Sequence, residues 1–289
     1  MAQVVSDVEV TTSIVVLTYN RVDALLQVLK ALAPQCGARH EIVIADDGSN
    51  TQAVKTLRQQ LPVFSCAVTH VWHPDRGFTA SRARNLGALA SQGNYLVFLD
   101  GDCVPNPKFV IAHEKLAQKG CFVNGSRVLL SERLTYKVIT GEVDLANAGV
   151  VDWLGWRMKG DVNKAAHLVH WLQAPGRREA QFRWKQIRSC NFALWKEDFL
   201  AVNGFDESFE GWGHEDADLV LRLHHLGLCR INGFLGTEVY HLWHRLNGRS
   251  SEDVNRQRVV DRVNTDIVNA SKGIRDNLCA NDVVITSLN

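Results

Sequence analysis

The alternation of apolar runs with helix-spaced segments in the first hundred residues constrains this chain most. Residues 13–17, 41–45, 67–72 and 95–99 are runs of β-branched, aliphatic and aromatic side chains with little polar alternation, the pattern of strands covered on both faces. Between them lie segments of helical spacing. Residues 23–33 place Leu25, Leu26, Val28, Leu29 and Leu32 on one face and stop at Pro34; 52–60 follow, and 80–90 form a small-residue segment carrying Arg82, Arg84 and Asn85. Strand and helix in alternation imply right-handed crossovers and a parallel sheet.

The strand ends carry the polar residues. Thr18, Tyr19, Asn20 and Arg21 follow the first strand, Asp46 and Asp47 the second, and Asp100, Gly101 and Asp102 the last. In open α/β sheets ligands bind just beyond the carboxyl ends of strands. Two acids emerging there repel each other unless a cation sits between them. Hard oxygen ligands suit Mg²⁺ or Mn²⁺, ions that also hold substrate phosphates. A dinucleotide site would need Gly-x-Gly-x-x-Gly after the first strand. Thr18-Tyr19-Asn20-Arg21 stands there instead, so a nucleotide of another kind is expected.

Composition narrows the class. At 289 residues, 46% hydrophobic and 22% charged, the chain has material for a proper core, and its net charge of +1 gives no reason to expect nucleic acid. There is no basic leader followed by an apolar run and no stretch of membrane-spanning length. The seven cysteines are scattered, without paired metal spacing, as expected of reduced thiols in the cytosol.

The pattern loosens over 131–186, where Trp153, Trp156, Trp171 and Trp184 fall among Gly, Arg and Lys. An aromatic face there can stack on a sugar ring or serve as local core. Order resumes with a strand-like run at 189–195, a helical 196–202 and a turn at Asn203-Gly204. An acidic stretch, 204–218, then leads into the amphipathic helix at 219–223. Glu215, Asp216 and Asp218 suit a helix start, where amide dipoles stabilise them, although that does not account for the order Trp212-Gly213-His214-Glu215-Asp216. Residues 239–244 read as a strand with His241 and His244, either of which can be a ligand or a core histidine. The tail from 251 reads as a helix to about Arg275, with Val259, Val260, Val263 and Ile267 on one face for packing or for a homodimer.

Taken together, these motifs resemble family 2 glycosyltransferases with the GT-A fold, over about 15–244. Asp75-Arg76-Gly77-Phe78, Arg84-Asn85-Leu86-Gly87, Leu99-Asp100-Gly101-Asp102 and Pro105-Asn106-Pro107 stand in the order seen in bacterial chondroitin-polymerase type modules. Gly204-Phe205-Asp206 with Trp212-Gly213-His214-Glu215-Asp216 is similar to the β-1,4-galactosyltransferase pattern. The resemblance implies a mostly parallel, Rossmann-like sheet flanked by helices, with an acceptor-binding C-terminal half. It further implies a UDP-sugar donor and a saccharide or lipid-linked saccharide acceptor, with transfer in surface polysaccharide synthesis at the cytoplasmic side or inner membrane face. Thr18, Tyr19, Asn20, Arg21, Asp46, Asp47, Arg76, Arg84, Asp100 and Gly101 would bind the donor, with Asp46 on the uracil. Asp102, His241 and Asp100 would hold Mn²⁺ or Mg²⁺, His241 being preferred to His244. Asp216 would be the general base of an inverting reaction, Glu215 its partner at the acceptor, and Trp212, Gly213 and His214 the acceptor wall. Relatives have a glycine where this chain has His214, which would narrow that wall.

The division expected is a nucleotide-sugar half (1–130), a Trp-rich insertion (131–188), an acceptor half with the base (189–250) and a helical tail (251–289). A single module favours addition of one sugar over polymerisation. A non-catalytic sugar- or nucleotide-binding module and a nucleotidyltransferase are the other readings, the latter wanting a glycine-rich phosphate loop that Thr18-Tyr19-Asn20-Arg21 does not supply.

Overall fold

The computed structural model describes residues 9–184, 187–211, 213–245 and 252–289. The first half follows the alternation: β1 (Thr12–Thr18), α1 (Val22–Leu32), β2 (His40–Asp46), α2 (Thr51–Gln60), β3 (Ala67–Trp72), α3 (Ala80–Ala90) and β4 (Tyr95–Asp100). These strands are parallel in the order β3-β2-β1-β4. Alternate residues of β1 feed opposite cores. Ile14 and Val16 pack with residues of α1, whereas Val15 packs beneath α3. Burial on both faces is the reason these strands show little polar alternation. Gly87 seats α3 on the sheet, since a Cβ there would stand 2.7 Å from Val15 Cγ1.

Beyond β4 the chain forms β5 (Cys103–Pro105), α4 (Phe109–Leu116), β6 (Cys121–Asn124), β7 (Ser126–Leu129), α5 (Glu132–Ile139), α6 (Val150–Met158) and the short β8 (Arg178–Glu179). Then come β9 (Asn191–Trp195), α7 (Lys196–Ala201), α8 (Glu215–His225), β10 (Cys229–Asn232), β11 (Glu238–His241), α9 (Glu252–Arg262) and β12 (Val284–Ser287). The main sheet runs β12-β3-β2-β1-β4-β9-β6-β10-β8, and a second sheet runs β5-β11-β7. The parallel order holds only through β4. Strand β9 joins β4 antiparallel, and β6 joins β9 antiparallel, so the sheet beyond β4 is mixed.

One expectation is corrected. The tail helix stops at Arg262, well short of Arg275. Thr265 Oγ1 caps the Arg262 carbonyl at 2.8 Å, and the Arg262 guanidinium is drawn onto Asp206 and Asp218. Val259 is buried against Phe209, Ala217 and Leu221 of the same chain. The chain then returns as β12, an antiparallel edge strand on β3. The tryptophans of the insertion differ in burial. Trp153 is 2% exposed and stacks at 4.6 Å on Tyr240, so it is core, whereas Trp171 and Trp184 are exposed. Among the described residues no helix is long and apolar enough to cross a membrane.

Candidate functional site

Strand register builds the site. Leu17 of β1 pairs with Asp100 of β4, and Thr18 pairs with Asp46 of β2, so their carboxyl ends share one edge. Gly101 fits because its N–H donates to Leu17 O at 2.7 Å, and a Cβ would stand 2.7 Å from that same oxygen. The tight turn aims Asp100 and Asp102 at different neighbours.

Asp102 meets the histidines. Strand β11 lies against β5 with His241 opposite Cys103, and the Leu242 N–H donates to Asp102 O at 2.8 Å. His241 Nε2 lies 3.7 Å from Asp102 Oδ1, and His244 Nε2 lies 3.4 Å from Asp102 Oδ2. One ligand atom from each of the three residues falls within 4.8 Å of the others. Burial pushes the His241 imidazole below its ordinary range, which favours the neutral, ligating form. Arg21 Nη1 lies 3.7 Å from Asp102 Oδ2. A carboxylate with two imidazoles at this spacing fits a divalent cation. Imidazole donors suit Mn²⁺ better than Mg²⁺, which prefers an oxygen shell. His244, the less favoured histidine in the sequence, completes the group, and Asp100 is not part of it.

Asp100 is held by Arg84, whose Nη2 donates to Asp100 Oδ1 at 2.8 Å, while its Nη1 lies 3.4 Å from Glu215 Oε1. Burial opposes the charge on Arg84, but Asp100 and Glu215 outweigh it and raise its pKa. Glu215, the first residue of α8, is buried, and burial followed by the Asp216 charge raises its carboxyl to about 7. Asp216 is half-buried and accepts from the Ser189 N–H at 3.3 Å. The two neighbouring acids therefore have different environments, a pattern typical of acid and base partners. Asp218, three positions on from Glu215, belongs to neither. It is fully buried between Arg222 and Arg262.

The residues expected at the nucleotide are partly committed elsewhere. Asp46 is buried and engaged within the chain: the Ser49 N–H donates to its Oδ1 at 2.7 Å and His70 Nε2 lies 2.9 Å from its Oδ2. Asp47 accepts the Thr79 N–H at 3.0 Å and lies 3.3 Å from His73. Thr18 is buried and receives the Asp47 N–H on its carbonyl at 2.9 Å. Tyr19 is exposed and donates to Asp75 Oδ2 at 2.9 Å, and Asn20, at φ +55°, holds the Asn50 N–H at 2.9 Å. Arg76 is exposed and pairs at 2.8 Å with Asp282 of the tail. Gly213 and His214 both have positive φ (+108° and +67°), and the His214 ring lies 5.9 Å from that of Trp184. Trp212, expected at the acceptor, lies outside the described residues. His70, His73, Thr79 and Asp282 went unread because their roles depend on long-range partners.

Residues 13–137 match the model described as Glycosyl transferase family 2, and residues 174–245 match that of the N-terminal domain of galactosyltransferase. The chain is similar to chondroitin synthase of Escherichia coli, 27% identical over 79% of this chain and 34% of that one. It is also similar to validoxylamine A glucosyltransferase of Streptomyces hygroscopicus subsp. jinggangensis, 28% identical over 75% and 52%, and to hyaluronan synthase of Pasteurella multocida, 27% identical over 74% and 23%. It thus spans about half of these relatives' length or less. Among solved structures, S. aureus TarS residues 1–349 with UDP-GlcNAc superposes with a TM-score of 0.59 at 14% identity, covering 92% of this chain and 69% of that one. The mannosyltransferase PcManGT from Pyrobaculum calidifontis, with GDP-Man and Mn²⁺, gives 0.54 at 14% identity, covering 88% and 63%. These structural likenesses speak to the fold.

Proposed function

We propose that this chain, which matches the family 2 glycosyltransferase model over residues 13–137 on a GT-A fold, transfers a sugar from a UDP-sugar to a saccharide hydroxyl, with Mn²⁺ and with inversion. The observation that carries the reading is the meeting, at one sheet edge, of Asp102, His241 and His244 with the Arg84, Asp100 and Glu215 group. TarS is in complex with UDP-GlcNAc and PcManGT with GDP-Man, so the choice of uridine rests on the family resemblance and is what a panel of both donors decides. The names of the chondroitin and hyaluronan synthases support a role in polysaccharide synthesis, and the reading adds a saccharide or lipid-linked acceptor for a surface polysaccharide, met on the cytoplasmic side.

Asp102, His241 and His244 would hold the cation, which when bound neutralises the diphosphate as it leaves. Asp100 is fixed by Arg84 beside that group. Asp216 takes the proton from the acceptor hydroxyl as the oxygen attacks the anomeric carbon from the face opposite the diphosphate. The sugar passes through an oxocarbenium-like state, as in glycoside hydrolysis, and attack from one side inverts it. Glu215, with its raised pKa, keeps a proton near neutral pH and donates a hydrogen bond to the acceptor. Residues 1–130 would serve the donor, 189–250 the acceptor and base, and 131–188 the acceptor side.

The test is UDP release from a panel of UDP- and GDP-sugars with Mn²⁺. Release from one UDP-sugar is expected to stop with a chelator and to fall roughly 10²–10⁴-fold in Asp216→Asn, the usual contribution of a positioned base. Wild-type turnover in Asp216→Asn would remove the base, and release from GDP-sugars alone would remove the uridine donor.

A further inference from the structure

A cavity of about 290 Å³ opens between the amino-terminal end of α3, the loop at 207–210 and the tail segment 272–282. Of the residues expected at the donor, Arg76 alone lines it. Thr79, in its wall, donates its N–H to Asp47 at 3.0 Å. Glu207, also in the wall, is held at 2.9 Å by Asn85, the residue after Arg84. Glu210 stands in the loop that leads to Glu215 and Asp216.

The lining limits what can bind. Arg76, Arg82 and Lys272 share it with Glu207, Glu210, Asp276 and Asp282. Carboxylates at least match the cations, so a diphosphate finds no positive field there, and a second nucleotide is a poor fit. The lining is rich in donors and acceptors and includes Phe78 and Phe209. Such a surface suits a neutral polyhydroxylated ring, its hydroxyls on the charged groups and its apolar face on a phenyl ring.

The cavity is also built rather than incidental. Arg82 is 9% exposed; its Nε donates to Asn277 Oδ1 at 3.3 Å and its Nη2 to Asp282 Oδ1 at 2.8 Å, while Nη1 has no hydrogen-bond partner among the described residues. Asp282 bridges Arg82 and Arg76, each at 2.8 Å, and Asn277 donates to Glu207. The tail is thereby fastened to both other walls. It lies beyond the two family matches, which end at residues 137 and 245.

We propose that this cavity is the subsite for a neutral sugar residue of the acceptor, and that the 272–282 segment sets which acceptor this chain takes. The proposal rests on the transferase reading and adds to it a substrate-recognition element from the tail.

The experiment is saturation-transfer NMR on the full chain with Mn²⁺ and UDP. The probes are methyl glycosides of glucose, galactose, mannose, N-acetylglucosamine and glucuronic acid. A neutral glycoside is expected to bind and to lose its signal in Ala280→Phe, which fills the cavity. Lys272→Ala is expected to weaken it roughly 10-fold or more, the loss of one charge-assisted hydrogen bond. Thermal melting reports whether Ala280→Phe folds. If it does not, Lys272→Ala decides, since that side chain is exposed and only the Lys272 backbone carbonyl holds the Glu207 N–H, at 2.8 Å. The proposal is overturned if no glycoside binds the wild type, if only the glucuronide binds, or if binding persists in the folded variants. Failure of the transferase reading shows separately, as absence of UDP binding and of UDP-sugar hydrolysis by the wild type.

Discussion

Two clusters of acids and cations, one on Asp206 and Asp218 and one on Asp102, differ in what is left unsatisfied. In the first, Arg222 donates to Asp218 at 2.7 Å, to Val202 O at 2.7 Å and to Gly204 O at 2.9 Å. Arg262 closes it by bridging Asp218 and Asp206, while Ser271 holds Asp206 as well. Asp206, Asp218 and Arg222 are fully buried. In the second, Asp102 meets His241, His244 and Arg21 only at 3.4–3.7 Å, longer than ordinary hydrogen bonds. The side chains of Asp102 and His244 stay 18% and 32% exposed. Residue type is shared, and occupancy of the hydrogen-bonding groups is not. The closed cluster is architecture that ties α8 to α9, and the open one has room for an ion.

Asp102→Ala and Asp218→Ala test that contrast with the largest effects. Asp102→Ala is expected to keep its urea midpoint while UDP release falls on the order of 10²–10³-fold or more, as when a stabilising charge is removed from a reacting centre. Asp218→Ala leaves Arg222 buried without its carboxylate, which costs about 3–5 kcal/mol of stability. Equal loss of stability in both variants would end the distinction between the two clusters.

A smaller effect contrasts Glu215, which pairs with Arg84, with Asp206 of the closed cluster. Burial, then Asp216, raises folded Glu215 from 4.5 to about 7. The folded state therefore binds the extra proton between those values. Its contribution to stability is fully present below pH 4.5 and lost as pH rises through 7, with a slope of at most about 1.4 kcal/mol per pH unit. Burial alone would raise Asp206 too, but hydrogen bonds from Ser208 and Ser271 hold it well below the usual carboxylate range, so its contribution is constant across that window. Urea midpoints from pH 4.5 to 7 should decline in the wild type and stay flatter in Glu215→Gln. Parallel curves for the two proteins would show that Glu215 does not titrate there.

The contrast also explains what could be read in advance. Strands β1 to β4 were legible because burial on both faces writes itself as an apolar run, and α3 was legible from its small residues. The division of labour between Asp100 and Asp102 was not, because it is made by Arg84 arriving from α3 and by β11 arriving beside β5. That Asp46 meets His70, one strand over, was not legible either, because β2 and β3 bring the two together only in the folded sheet. In the tail, Val259, Val260, Val263 and Ile267 keep helical spacing, yet the helix ends where Arg262 turns to Asp206 and Asp218. Strand β12 is an edge strand whose Val284 and Ile285 are both exposed, so it lacks the alternation that marks a half-buried strand.

His214 gives the finest test of where the open cluster ends. It caps α8 at φ +67°, where a side chain costs roughly 1–2 kcal/mol relative to a right-handed conformation and glycine costs nothing sterically. Its ring contact with Trp184, at 5.9 Å, offsets part of that. His214→Gly should therefore keep its melting behaviour within about 1 kcal/mol of the wild type. His214→Val, β-branched at a positive φ, should lose clearly more. If the ring also walls the acceptor, His214→Gly will accept glycosides that the wild type refuses, while Asp218 variants show no such broadening. Matched losses of stability in Gly and Val would mean that the ring contact outweighs the backbone. The open cluster would then need His214 for its shape as much as the closed one needs Arg222.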